Sequence, residues 1–144
     1  MIEKKVKKAW ISGPISPEFI AASIAGHAVK KAIGAHSIFL GQVRADTMGN
    51  SQVAVIEYEG YVSMADEIIH QIREAAFEKY ALNCLHIFHS LGAVKAGEIS
   101  LFVFTSAAHR KDAMAACNEI VERIKKEVPV SAGLYFSVFS SSVN

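Results

Sequence analysis

Long hydrophobic runs are missing from this chain. Although 51% of its residues are hydrophobic, Lys, His or Gly interrupts every apolar stretch well short of the ~18 residues that a membrane-spanning helix needs. The opening MIEKKVKKAW has no apolar h-region, so neither a membrane span nor a secretory signal is expected, and the expectation is a soluble, cytoplasmic protein. Cysteine is scarce: Cys84 and Cys117 stand alone without CxxC spacing, which argues against a disulfide framework and for reduced thiols. Charge of one sign is not in excess either. Lys plus Arg number 15 against 14 Asp plus Glu, a formal balance of +1. No bulk field therefore favours nucleic acid or an anionic membrane, and any anion chemistry must come from local clustering. No P-loop, GxGxxG, Ser-His-Asp order, internal repeat or low-complexity segment is legible.

What remains is enough for one domain with a real core, 144 residues long. Val6 to Ser12 reads as a first strand. Ser16 and Pro17 then supply an N-cap and a first helical residue whose missing N–H is not needed, with Phe19, Ile20 and Ile24 as the apolar face and Gly26 near the end. Two strands follow, Ala35 to Val43 and Val53 to Tyr58, separated by the polar RADTMGNSQ, a connection long for a hairpin. A clearer helix spans Ser63 to Tyr80, with Ala65, Ile68, Ile69, Ile72, Ala76 and Phe77 at helical spacing. Strands near Cys84 to Ser90 and Glu98 to Ser106 flank LGAVKAG, whose glycines suit a turn. A third helix is expected from about Ala108, with Ala113, Met114, Cys117, Ile120, Val121 and Ile124 on one face and Pro129 beyond its end. GLYFSVF suits a final strand.

The candidate chemistry starts at FTSAAHRKD. There a strand runs into His109, Arg110 and Lys111 at a helix start, beside unpaired N–H groups and the positive end of the helix dipole. Cations are disfavoured in that place, so an anion such as phosphate would satisfy side chains and backbone donors together. The plainer reading is a solvated helix start. Arg44 closes the apolar IFLGQVR, where it is either solvated or a fork for phosphate. Lys125 and Lys126 sit in the last helical turn, where cations complement the dipole. Cys84 and His86 would share a strand face, but no further ligand stands at metal spacing, so a core thiol and a half-buried imidazole are expected rather than zinc. Glu57 and Glu59 in IEYEGY read either as an acid/base pair or as outward-facing carboxylates.

GAHSIFLGQVR, VIEYEGYVSMA, IFHSLGAVKAGE, FVFTSAAHR and KKEVP, in this order and spanning about residues 8–130, resemble the large, catalytic subunit of the molybdopterin synthase family. The resemblance implies an α+β single domain with a mixed or antiparallel sheet, packed helices and a β-hammerhead-like motif. It also implies a cytoplasmic homodimer with a small ubiquitin-like sulfur-carrier subunit docked at each outer end. The implied activity transfers sulfur from that partner's C-terminal thiocarboxylate to cyclic pyranopterin monophosphate, giving the molybdopterin dithiolene, with no metal or other cofactor and no nucleic-acid or membrane partner. Carried over by position, Lys125 is the catalytic lysine, and Arg44, His109 and Arg110 bind the anionic substrate with Lys126 beside them. His109 and Lys125 are 16 residues apart on one helix, ~24 Å along its axis. A shared pocket is therefore implied, with Lys125 and Arg44 from one chain and His109 and Arg110 from its mate.

The chain also departs from the family's pattern. Val130-Ser131-Ala132-Gly133 follows Pro129, so Ala132 stands where a second active-site lysine is expected, with Lys125 or Lys126 left to cover for it. Ser90 replaces a familiar Arg after His89, and residues 132–144 diverge. Two readings stay open: a sulfur-transferring subunit, and a non-catalytic dimeric homologue or scaffold that binds an anionic ligand, the small subunit, or both.

Overall fold

The structure, a computed structural model, describes residues 9–138. Its elements run β1 (Trp10–Ser12), α1 (Pro17–Gly26), β2 (Ala35–Gln42), β3 (Thr47–Met48), β4 (Ser51–Gly60), α2 (Val62–Lys79), β5 (Leu82–Lys95), β6 (Ile99–Ala107), α3 (Arg110–Glu127) and β7 (Val130–Val138). The main path of the sheet is β2-β6-β5-β4-β3; β7 pairs with β4, and β1 lies parallel to β5 in an otherwise antiparallel arrangement. This is the α+β class with a mixed sheet that the sequence implied. No helix among the described residues is long and apolar enough to cross a membrane.

The sheet is covered on both faces, and β6 shows why. Residues Ser100 to Ala107 are all buried. Because strand side chains alternate between faces, Leu101 and Val103 enter one core cluster with Ile69 and Ile72 of α2 and Cys117, Ile120 and Ile124 of α3. Phe102 and Phe104 enter a second cluster with Ile15 and Ile20 under α1. The α2 and α3 stripes follow the expected periodicity, with two corrections: Phe77 is 41% and Met114 61% exposed. Each follows a buried alanine and is turned about 100° off the buried stripe. On α1 only Ile20 of the expected three-residue face is buried; Phe19, 37% exposed, still packs edge-on against Phe88, and Ile24 is 42% exposed. The expected Ser16 cap is present: its side chain accepts from the Phe19 N–H at 3.1 Å.

Three boundaries differ from the sequence reading. The first strand begins at Trp10 within the described residues, and positions 6–8 lie outside them. The turn occupies only the end of LGAVKAG: β5 continues to Lys95, pairing with β6 over Leu82–His89 and then with β4 over Gly92–Lys95, and the chain reverses at residues 96–97, with Gly97 at φ +91 and the Glu98 N–H donating to the Lys95 carbonyl at 2.9 Å. Gly92, at φ +85, lets the strand change partners there at no Cβ cost. The polar RADTMGNSQ folds back on itself as β3 and the start of β4 around Gly49 at φ +63. The divergent tail forms β7, paired with β4 from Gly60↔Val130 to Ser51↔Val138; residues 139–144 lie outside the described part.

Candidate active site

The change of partners along β5 creates a cleft. Gln42 at the end of β2, Tyr58 of β4, His89 of β5, Ser100 of β6, Lys125 in the last turn of α3 and Val130 opening β7 line a cavity of about 170 Å³. These residues span 88 positions of sequence, from 42 to 130, and only the sheet topology brings them together. A wider, open groove of about 610 Å³ adjoins it, lined by Glu59, Gly60, Tyr61, Pro129 and Ser131. Val128 and Val130 border both spaces.

His89 is the most constrained group in the cleft. Its ring lies between Trp10, 5.5 Å away, and Tyr58, 5.1 Å away and edge-on. Its Nδ1 lies 2.7 Å from the Ser90 carbonyl oxygen. A carbonyl can only accept, so Nδ1 carries the proton, and in the neutral ring Nε2 is left with its lone pair. Burial pushes the His89 pKa below its ordinary value and the nearby Lys125 charge lowers it further, against the opposing pull of the Ser90 hydrogen bond. At neutral pH an uncharged imidazole therefore stands near an exposed ammonium. Tyr58 is held too, its hydroxyl donating to Ser100 Oγ at 3.1 Å, while Ser100 Oγ donates to the Gly41 carbonyl at 3.4 Å.

The other residues singled out in the sequence are distributed around this cleft unevenly. Arg44 lies two positions beyond Gln42, largely exposed, with Nε 2.6 Å and Nη2 3.3 Å from the Asp46 carboxylate. Asp46 raises its pKa by hydrogen bond and by charge. His109 is the N-cap of α3 rather than a first-turn residue, in extended conformation and without a side-chain capping bond, and Arg110 follows at the helix start. Both are exposed and lie at the opposite end of α3 from Lys125 and Lys126, so one chain does not bring the basic residues together. Ala132, on β7 opposite Tyr58, borders a shallow space with Glu57 and Glu59 that shares Glu59 and Ser131 with the open groove but has no lining residue in common with the cleft.

Sequence reasoning missed His89 and Tyr58 as site residues. The available signal was parity: Leu85, Ile87 and His89 alternate onto one face of an apolar strand, and a histidine continuing a core-facing row needs a partner or a role. It also missed a third donor beside Cys84 and His86. His27, the C-cap of α1, brings its Nε2 to 3.1 Å from His86 Nε2, and the ligating atoms of these three residues all lie within 4.8 Å of one another. This group belongs to the α1 side of the sheet, with Phe88 and Phe104, away from the cleft.

Fold and cleft define an α+β domain whose mixed sheet opens, where one strand changes partners, into a pocket with a lysine, a neutral imidazole and a phenol. The profile of the family described as MoaE protein matches residues 12–127, and the chain belongs to that family. The molybdopterin synthase catalytic subunit of Oryza sativa subsp. indica is 38% identical over 104 residues, covering 72% of this chain and 53% of the rice protein. The chain thus spans about half the length of that curated relative. The crystal structure of molybdopterin synthase from Staphylococcus aureus superposes with a TM-score of 0.76 at 28% identity, covering 91% of this chain and 96% of that one. A protein-protein complex of subunits 1 and 2 of molybdopterin-converting factor from Helicobacter pylori 26695 shares the fold, with a TM-score of 0.75 at 20% identity over 92% of this chain and 90% of that one.

Proposed function

We propose that this chain is the sulfur-transferring, catalytic subunit of a cytoplasmic molybdopterin synthase. It takes sulfur from the C-terminal thiocarboxylate of a small ubiquitin-like subunit and installs it in cyclic pyranopterin monophosphate, forming the molybdopterin dithiolene. Membership of the family supports the reaction class. The observation that carries the reading is the convergence of Lys125, His89 and Tyr58 on one small cavity that shares Val128 and Val130 with an open groove of about 610 Å³.

Both reactants are anionic, and the residue types suit them. Lys125 polarises the acyl group or protonates the leaving oxygen. Arg44, with its planar fork, and His109 and Arg110, beside the free N–H groups of a helix start, hold phosphate and carboxylate oxygens. Lys126 adds positive charge beside them. Because His109 and Lys125 occupy opposite ends of α3, the working pocket joins Lys125 and Arg44 of one chain to His109 and Arg110 of a second copy.

Reconstitution tests this. Supplying thiocarboxylated small subunit and cyclic pyranopterin monophosphate should yield dithiolene, and Lys125→Ala should lower the rate by about 10²–10⁴-fold. A second reading, a non-catalytic dimeric homologue or scaffold, follows from the resemblance, which implies a lysine where Ala132 stands. Tight binding of both reactants without product would establish that reading instead.

A further inference from the structure

The His27–Cys84–His86 cluster lies outside the proposed sulfur-transfer site and has the makings of a metal centre. His27 is 9% exposed and Cys84 6%, while His86 is half-buried. One thiol and two imidazoles form a donor set that suits zinc and its neighbours among the transition metals. A tetrahedral zinc ion, with Zn–N of about 2.0–2.1 Å and Zn–S of about 2.3 Å, sets neighbouring donor atoms roughly 3.3–3.6 Å apart. The two Nε2 atoms are already 3.1 Å apart. Cys84 Sγ and one ring nitrogen of each histidine all lie within 4.8 Å of one another, so a small side-chain adjustment closes the set.

The surroundings complete the case. His27 Nδ1 lies 2.7 Å from the Ser23 carbonyl oxygen, one of the carbonyls left over at the end of α1. The ring therefore carries its proton on Nδ1 and turns Nε2 toward His86, the outer-sphere arrangement that orients a ligating histidine. Ser23, His27, Lys30 and His86 border a surface cavity of about 310 Å³, which supplies an entry path and room for water as a fourth ligand. Lys30 Nζ donates to Cys84 Sγ at 2.9 Å. It is an exposed side chain on a flexible stem, and it stands in the structure as the cation that a metal would replace.

We infer that His27 Nε2, His86 Nε2 and Cys84 Sγ form a site for a zinc-class divalent cation that clips the end of α1 to β5. On binding, Lys30 swings away, Cys84 ligates as the thiolate with its proton released to solvent, and the neutral His86 ring carries its proton on Nδ1. The fold gives such a clip something to do, because α1 buries only Ile20 in the core.

Cobalt(II) is the probe. Titrating the chelator-treated full chain should raise a thiolate-to-cobalt charge-transfer absorption that saturates at one ion per chain and is displaced by zinc. Zinc alone should raise Tm. The absorption should vanish in Cys84→Ser and persist in Cys117→Ser. His27→Gln should weaken binding by more than the 10–100-fold that loss of an outer-sphere partner costs. Lys30→Met changes an exposed position, so folding is not at issue, and it should bind the metal more tightly than the parent. An absent charge-transfer band, a band that follows Cys117 instead of Cys84, or a Lys30→Met chain with unchanged affinity would each overturn the site.

Discussion

His89 couples the cleft to pH. Its pKa is below the ordinary histidine value, chiefly through burial, so the unfolded chain takes up a proton before the folded one does as pH falls. The stability tied to the neutral ring is complete above the ordinary value and is lost as pH drops through the lower, folded value. Urea midpoints measured from about pH 8 down to 5 should therefore fall, and His89→Gln should flatten that fall. An equal slope in the variant would place the acid sensitivity elsewhere. Ala132 supplies the complementary test. It borders the same shallow space as Glu57 and Glu59, so Ala132→Lys would set an ammonium beside two carboxylates. If the departure from the family pattern limits turnover, that change should raise the rate by about 10-fold or more in the reconstituted assay, within the range a proton-transfer group supplies. The place of His109 and Arg110 at the start of α3 was legible in the sequence because their oddity is local, a cationic cluster where a strand runs into a helix. His89 and Tyr58 were not, since each looks like an ordinary strand residue until β5 is seen to leave β6 for β4.

At the scale of elements, the connection between β6 and α3 is the joint that places His109 and Arg110. It is held by Gly34, whose N–H donates to the Ala107 carbonyl at 3.0 Å. A Cβ on Gly34 would collide with the carbonyl oxygen of Ala108, one residue before His109. Gly34→Ala should therefore destabilise the fold by roughly 1–3 kcal/mol, the usual cost of overpacking, read as a lowered urea midpoint at unchanged m-value. It should also weaken binding of the proposed phosphate-bearing substrate more than an Ala substitution at a distant exposed site does. Helix periods, the Ser16 cap and the glycine end of α1 were readable because they depend on neighbours three or four residues away. The long β5 was not. Its Gly-containing centre carries the composition of a turn, and what keeps it extended is pairing with β1, β4 and β6, all remote in sequence. His27 escaped for the same reason, 57 positions before Cys84 and joined to it only through the packing of α1 on the sheet.

Across the whole molecule the decisive length is that of α3. Its cationic start and its lysine-bearing end are separated by ~24 Å, from 1.5 Å of rise over the 16 residues between His109 and Lys125. No small pterin spans that distance, so the proposed use of both ends in one reaction requires two chains. The β3–β4–β7 ribbon offers a surface for such pairing: Leu134, Tyr135 and Phe136 of β7 and Met48 of β3 are 44–61% exposed, more large apolar surface in one ribbon than solvent contact favours. If the pocket is shared, an Arg110→Ala chain and a Lys125→Ala chain, each inactive as a homodimer, should recover activity when mixed and allowed to exchange. Half of the pockets in a mixed dimer would then combine an intact Lys125 with an intact Arg110, and the other half would carry both lesions. Random exchange makes mixed dimers half of the population, so the recovered rate should approach about a quarter of the parent's. Absence of rescue, with hybrid dimers demonstrated by native mass spectrometry, would confine the reaction to one chain and remove His109 and Arg110 from the site that Lys125 serves.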